Sequence, residues 1–432
     1  MLSSFYSGIS GLAAYGNAMS VIGNNIANMN TVGFKSSRVA FADLYNMALS
    51  HAAGGSLQVG RGVRMSSINR LFTQGSLETT GSATDMAIQG DGFFILSDRT
   101  GSGTYYTRSG HFIFDKDGDL VNPEGYAVQG WAIDPNTGIR TGALGPLSFS
   151  TAAVPASATQ NVNVSVNLDS NATVDPGGGG AFDPTDPENT SNYSTSLSVY
   201  DSLGNSHVVT IYFYKAALGS WTWHACVDGS EITGGVPGQL EIEAQGTLTF
   251  DTAGALTADV TLASDFDFLG AAQDQNITFD FGTSVAEGGA GLDGTTQFAG
   301  TPSTYILTQD GYASGLLEGL ILDTEGVLTG IFSNGQTQTL SQIALARFPS
   351  PWGLEGIGSN LFVESNQSGQ PLINPPGTSG LGTIASNSLE MSNVDLAAEF
   401  VDMMRMQQAF TANSKVITTT DQMLAEVVNL KR

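Results

Sequence analysis

Four hundred and thirty-two residues, at about 100–200 per domain, are more than one compact core ordinarily holds, so more than one packed unit is expected. A hydrophobic fraction of 41% excludes a wholly disordered chain, while charged residues at 13%, against about 25% in soluble domains, leave the wetting of the surface to Ser, Thr, Asn and Gly. The net charge of −25 is concentrated in the middle: residues 1–77 carry five bases and one acid, whereas residues 141–346 carry Lys215 alone against 22 acids, which excludes nucleic-acid binding there.

Cys226 is the single cysteine, so no internal disulfide is expected. His51, His111, His207 and His224 lack metal-ligand spacing, so the expectation is no metal and no cofactor. No run of about 18 apolar residues exists, so no membrane span is expected. Met1–Phe34 is uncharged but interrupted by Ser and Asn throughout, unlike a cleaved secretory signal.

In chain order, Leu2, Phe5, Ile9, Leu12, Gly16, Met19, Gly23 and Ile26 fall at alternating steps of three and four, which places them on one face of a helix. Asn24, Asn25, Asn28 and Asn30 followed by Gly33 should end that helix and swing the chain sideways. From there the pattern is β: Gly92–Leu96, Thr104–Thr107, His111–Phe114 and Tyr126–Ile133 are short, aromatic and β-branched, with hairpin turns at Asp117–Gly118 and Gly204–Asn205. Residues 149–191, rich in Pro and Gly, suggest a boundary followed by a flexible excursion, and the Gly- and Thr-rich residues 283–302 a second crossing. The last 44 residues contain no Gly or Pro; Leu396, Met403, Phe410, Ile417 and Leu424 recur at every seventh position with Phe400 and Val428 beside them. Ser392 with Asp395 supplies a capping-box start, predicting a helix from about residue 393 that runs roughly 60 Å.

Each terminal stripe would leave apolar surface in water, and ordering such segments costs about 1–2 kcal/mol per residue. Alone they should be largely disordered; pairing with each other and with other copies is the expected solution, a helical hairpin within one chain the alternative. The expected fold is mainly β with α-helical termini: two β domains on a discontinuous helical coiled-coil stalk, the chain going out and back. The expected division is 1–24 and 392–432 for helical assembly, 25–71 and 384–391 for an elbow, 72–148 and 302–383 for an inner β domain, and 149–301 for an inserted acidic β domain.

Little in the chain reads as catalytic. Asp115-Lys116-Asp117-Gly118-Asp119 is superficially similar to a calcium loop, but Gly is fourth and position twelve is Tyr126, so a tight turn is expected. Gly177–Gly180 lacks the Lys-Ser/Thr of a phosphate loop, and no G-x-S-x-G elbow is present. Trp221 and Trp223, two apart, point to one face of a strand and to core packing.

The run Asn24-Asn25-Ile26-Ala27-Asn28-Met29-Asn30-Thr31-Val32-Gly33-Phe34-Lys35 resembles the signature of the bacterial flagellar rod and hook protein family. Gln74–Leu77, Asp85–Phe94, Tyr106–Gly110, Gly125–Trp131 and Ser392–Leu396 follow as in that family, and Val199–His207, Gly353-Leu354 and Gly358–Phe362 are similar to its hook branch, whose members carry a large insert. The acidic Gly-rich stretch near 169–191 matches nothing in it. The resemblance implies a hook subunit in a flexible curved tube acting as a universal joint, with a distal rod protein as the alternative. It implies Leu2, Phe5, Ile9, Leu12, Met19, Ile26, Leu396, Phe400, Met403, Phe410, Ile417 and Leu424 in an innermost helical core, and Asn25, Asn28, Thr31, Gly33, Phe34 and Lys35 in the elbow. Implied partners are copies of the chain itself, hook-cap, distal-rod and hook–filament junction proteins, and the flagellar type III export apparatus, which would deliver the chain uncleaved to the extracellular hook of the basal body. No catalysis is implied. A secreted β-rich adhesin and an acidic hydrolase remain rivals from other classes, each of which would act as a monomer.

Overall fold

The computed structural model describes residues 2–44, 47–49, 57–98, 101, 103–134, 137–149 and 153–429. Mainly β with helical ends, the chain divides into two compact units: residues 1–151, 319–331 and 337–432, and residues 152–318 with 332–336.

In the first unit, helix Leu2–Ala27 ends within the Asn run, between Asn25 and Asn28, and Gly33 adopts a φ of 70° that turns the chain into strand Ser37–Asp43. That strand pairs antiparallel with Val63–Arg70. The unit's sheet is organised around Ala127–Ile133, which pairs with Phe93–Ser97, Arg140–Pro146 and Thr337–Ile343. Phe93–Ser97 is buried on both faces and continues into Thr104–Thr107, Leu361–Val363 and Glu355–Gly358. One side packs Phe93, Ile95, Tyr106, Phe348 and Phe362; on the other the Phe94 ring stands edge-on to Phe112 at 5.2 Å. The turn at Gly118 joins Ile113–Phe114 to Leu120–Val121, with the Asp115 carboxylate accepting from Asp117 N and Asp119 N. Helix Leu396–Asn429 closes the unit at about 51 Å. It starts three residues later than expected because Asp395, not Ser392, is the cap: its carboxylate accepts from Ala397 N and Ala398 N, and Asn393 is drawn off to the elbow.

The second unit is a β-sandwich. Strands Tyr193–Tyr200, Ser206–Ala217, Ser220–Asp228, Leu240–Phe250 and Leu256–Ser264 form an antiparallel meander, with Gly204 turning the first pair at a φ of 86°. Opposite lies a three-stranded sheet in which Asn161–Asn167 pairs parallel with Thr278–Asp280 and antiparallel with Ser303–Gln309. Trp221 and Trp223 are fully buried between the sheets with Val162, Val164, Phe213 and Phe279. Two sequence expectations fail here. Residues 283–302 are no crossing: Thr295 Oγ1 donates to Val164 O, Thr296 N to Val166 O and Leu168 N to Thr296 O, so the segment is part of the sandwich, and the unit runs on to Glu318 instead of ending at 301. Nor does the 169–191 excursion run free. Lys215 Nζ donates to Ser170 O and Ala172 O, the Tyr214 hydroxyl to Asp175, and buried Phe182 stacks on His224 at 4.7 Å.

Candidate functional site

The two terminal helices pack against each other within one chain. Gly8 and Gly11 permit this: a Cβ on Gly8 would lie 2.8 Å from Ile417 Cγ1, and one on Gly11 2.7 Å from Asn413 Oδ1. At the far end Asn25 Nδ2 donates to Glu399 Oε1 at 2.9 Å, so the helices run antiparallel. The intramolecular hairpin, the alternative at sequence level, is thus present, and the stripes do have an internal partner.

The most buried line of the first helix is Gly8, Gly11, Ala14, Ala18, Ile22 and Asn25, at steps of three and four. The larger residues chosen from the sequence flank it. Phe5, Leu12, Met19 and Ile26 are half-buried and Ile9 is exposed; the side chain of Leu2 lies outside the described residues. In the second helix Met403, Ile417 and Leu424 are half-buried on the seam side, Phe410 sits at its margin, and Leu396 and Phe400 are exposed. Thr420 is the one buried residue of the described helix.

The elbow is built around side chains that act as substitute peptide groups. Asn25, buried at the helix end, donates to Ser37 O and accepts from Ser37 N, both at 2.9 Å, so it extends the hairpin ladder onto the helix. Asn28 Nδ2 donates to Asn24 O and its Oδ1 accepts from Thr31 Oγ1, closing the Asn turn. Gly33 N donates to Glu390 O, and a Cβ there would lie 2.5 Å from Ser109 N. Phe34 lines a small cavity of about 240 Å³ with Arg70 and Phe362, the Arg70 guanidinium lying 5.0 Å over the Phe362 ring.

Behind the elbow lies a buried ionic cluster. Glu390 Oε1 accepts from Lys35 Nζ at 2.7 Å and from Gly75 N at 2.9 Å, and Glu390 Oε2 accepts from Arg108 Nε at 2.9 Å. Arg108 Nη1 also donates to Gly90 O and Gly92 O, and Lys35 Nζ to Thr73 O. Burial pulls the Lys35 ammonium below its ordinary value; the Glu390 charge opposes this and the Arg108 charge adds to it. Asn393 bonds Ser36 N at 2.8 Å and Leu71 O at 2.7 Å, and Asn360 Nδ2 reaches Val32 O, so the outgoing and returning legs share one network. Lys35 and Arg108 stand in motifs visible in the sequence. Asn393 stands in the Ser392–Leu396 motif, though without its elbow role; Glu390 was missed there, and an isolated acid beside the last helix was the available signal.

The nearest approach to a cation site among the described residues is Asp265, Asp267 and Asp274, with carboxylate oxygens within 4.8 Å of one another. Partial desolvation and the two neighbouring charges raise the Asp265 carboxyl above its ordinary range.

Comparison with known proteins agrees with this geometry along the whole chain. Residues 5–35 match the flagella basal body rod protein family, residues 87–173 the flagellar hook protein FlgE/F/G D1 domain, residues 167–312 the flagellar basal body protein FlaE D2 domain and residues 385–430 the flagellar basal body rod FlgEFG protein C-terminal family. The flagellar hook protein FlgE of Borreliella burgdorferi is 38% identical over 464 aligned residues, covering 100% of both chains, and that of Treponema pallidum is 38% identical at the same coverage. That of Escherichia coli is 33% identical, covering 99% of this chain and 100% of its own. The crystal structure of Helicobacter pylori flagellar hook protein FlgE2 shares the fold at a TM-score of 0.51 and 16% identity, over 73% of this chain and 100% of that one. With relatives aligned from end to end across both helices, the elbow network and the inserted sandwich, the chain belongs to the flagellar hook protein family and is a structural subunit of the bacterial flagellar hook.

Proposed function

We propose that the chain polymerises through its helix pair into a flexible curved tube that serves as a universal joint, with the helices innermost and the acidic insert toward solvent. The observation that carries this is the apolar surface left on helix Leu396–Asn429. Taking about 100° per residue from the Ile417 seam, Phe400 and Met404 fall on one flank, and Val416, Met423 and Val427 on the other. All five are between 41% and 60% exposed. Two different apolar flanks suit two different neighbours, the head-to-tail arrangement that generates an open helical polymer instead of a closed dimer.

The thin burial of this helix also suits export through a narrow channel by the flagellar type III apparatus, with the remaining order supplied by neighbours on assembly. Hook-cap, distal-rod and hook–filament junction proteins are the further partners of this reading. Electron microscopy of the purified full-length protein at high concentration and raised salt tests it. Curved tubes are the expected result; globular monomers under every condition overturn it.

A further inference from the structure

The hairpin of the elbow, Ser37–Asp43 with Val63–Arg70, carries charge the chain does not use. Its register pairs Arg38 with Asn69, Ala40 with Ser67 and Ala42 with Arg64. Directly opposed residues share a face, so Arg38 and Arg64 rise at the two ends of a floor of small residues, about 13 Å apart along the strand. Both are exposed, and among the described residues neither forms an ion pair with a carboxylate. The segments outside the described residues contain no Asp or Glu.

Beside this face runs a groove of about 750 Å³ whose walls include Arg38, Ala40, Phe41, Leu71 and Trp352. Trp352 is 68% exposed and Leu71 37%. The turn that carries the tryptophan, Pro351–Gly353, is clamped down: Ser365 Oγ donates to Gly353 O at 2.6 Å, and a Cβ on Gly353 would lie 2.4 Å from the Gln367 backbone, which leaves most of Trp352 to solvent. Beyond Trp352 a second groove of about 540 Å³ leads past Phe72 and Phe348 to Arg347.

The geometry points to this face as a docking surface for a second copy of the chain, with Trp352 as the apolar anchor and Arg38 and Arg64 accepting carboxylates from the neighbour. Trp and Arg are the residues on which interface energy most often concentrates. Any second copy supplies the carboxylates, since the chain has 40 acids against 15 bases. The same hairpin packs on the helix pair through its other side: Asn25 bonds Ser37, Tyr15 lies 5.4 Å from Phe41, whose ring points away from the Arg38 face, and a Cβ on Gly62 would meet Ser7 and Ser10. Copies joined along the helices therefore pass beside it. The assignment rests on the polymerisation reading above.

Trp352 reports on its own environment, because Trp221 and Trp223 are fully buried and Trp131 is partly covered by Arg140 at 5.6 Å. Acrylamide quenching of full-length protein should fall about fivefold for the exposed tryptophan on passing from monomer to tube, as for a side chain entering an interface core. Arg38→Glu with Arg64→Glu, and separately Trp352→Ala, should raise the critical concentration for assembly about tenfold, with far-ultraviolet circular dichroism of the monomer unchanged. Failure of the unaltered chain to polymerise would remove the underlying reading. Tubes that form normally while these variants assemble at unchanged concentration, with Trp352 equally quenched in tube and monomer, would overturn the docking assignment alone. Anionic phospholipid vesicles that shield Trp352 in the monomer, when tubes do not, would also overturn it and assign the face to a lipid surface.

Discussion

Glu390 is the residue on which the elbow turns, since among the described residues it alone pairs with two buried cations that arrive from different parts of the chain. Replacing it by Gln keeps the shape but leaves Lys35 and Arg108 without an anion, and breaking a buried ion pair in this way costs about 3–5 kcal/mol. Denaturant unfolding of the Glu390→Gln variant should show a loss of that size, and a loss below about 1 kcal/mol would mean that water reaches the cluster. Glu399 offers a second test. Burial raises its carboxyl above the ordinary 4.5, against the lowering effect of the Asn25 hydrogen bond. The folded chain therefore keeps this proton where the unfolded chain has released it. The stabilisation is complete below the unfolded value of 4.5 and is lost as pH rises through the higher folded value. Glu399→Gln preserves the acceptor for Asn25 and removes the titration; it should change neutral-pH stability by no more than about 1 kcal/mol. The difference between variant and parent should depend on pH across the acid range, and a constant difference would refute this account. At this scale the Asn and Lys of the motif were legible because their local chemistry is a turn. Their partners, 355 and 374 residues away, were not.

At the scale of elements, both helices were legible from periodicity; in the second helix Ile417 of the stripe does meet the first, but in the first helix the stripe flanks the line of closest approach. Hydrophobic pattern points to Leu, Ile and Phe, whereas the line of closest approach is made by Gly8, Gly11, Ala14 and Ala18, which contribute little apolar area and are selected by how near another helix can come. Gly8→Leu should force the helices apart, because its Cβ would already fall 2.8 Å from Ile417 Cγ1 and 3.4 Å from the Asn413 backbone oxygen; an overpacking cost of about 1–3 kcal/mol is expected in the thermal stability of the helix pair. Phe410→Asp separates chain stability from assembly. Phe410 remains 37% exposed in the single chain, so the monomer should lose about 1–3 kcal/mol, yet an unpaired carboxylate on a helix that neighbours must cover should abolish tube formation in a sedimentation assay. Tubes of normal yield would mean that residue 410 faces solvent in the polymer.

For the whole molecule, the two-unit division makes excision of the insert testable. Val154 pairs directly with Gly315, so residues 155–314 can be replaced by a Gly-Ser turn without stretching the remaining unit. A cut at residue 301 would instead strand Ser303–Gln309 without its partner Asn161–Asn167. The shortened chain should still form tubes, with altered curvature or stiffness under electron microscopy; a folded, exported product that forms none would make the insert a primary assembly element. Sequence alone determined the mainly β interior, the helical ends, the turns at Gly33, Gly118 and Gly204, and the segregation of charge, because each follows from local propensity or from a sum over neighbouring residues. Only the tertiary structure decided that the termini pair with each other, that residues 283–302 are bonded into the second unit at Thr295 and Thr296, that 169–191 is strapped down by Lys215, and that Glu390 closes the elbow. Each of these depends on which distant groups meet, and a buried polar group carries no mark in sequence of the partner that will satisfy it.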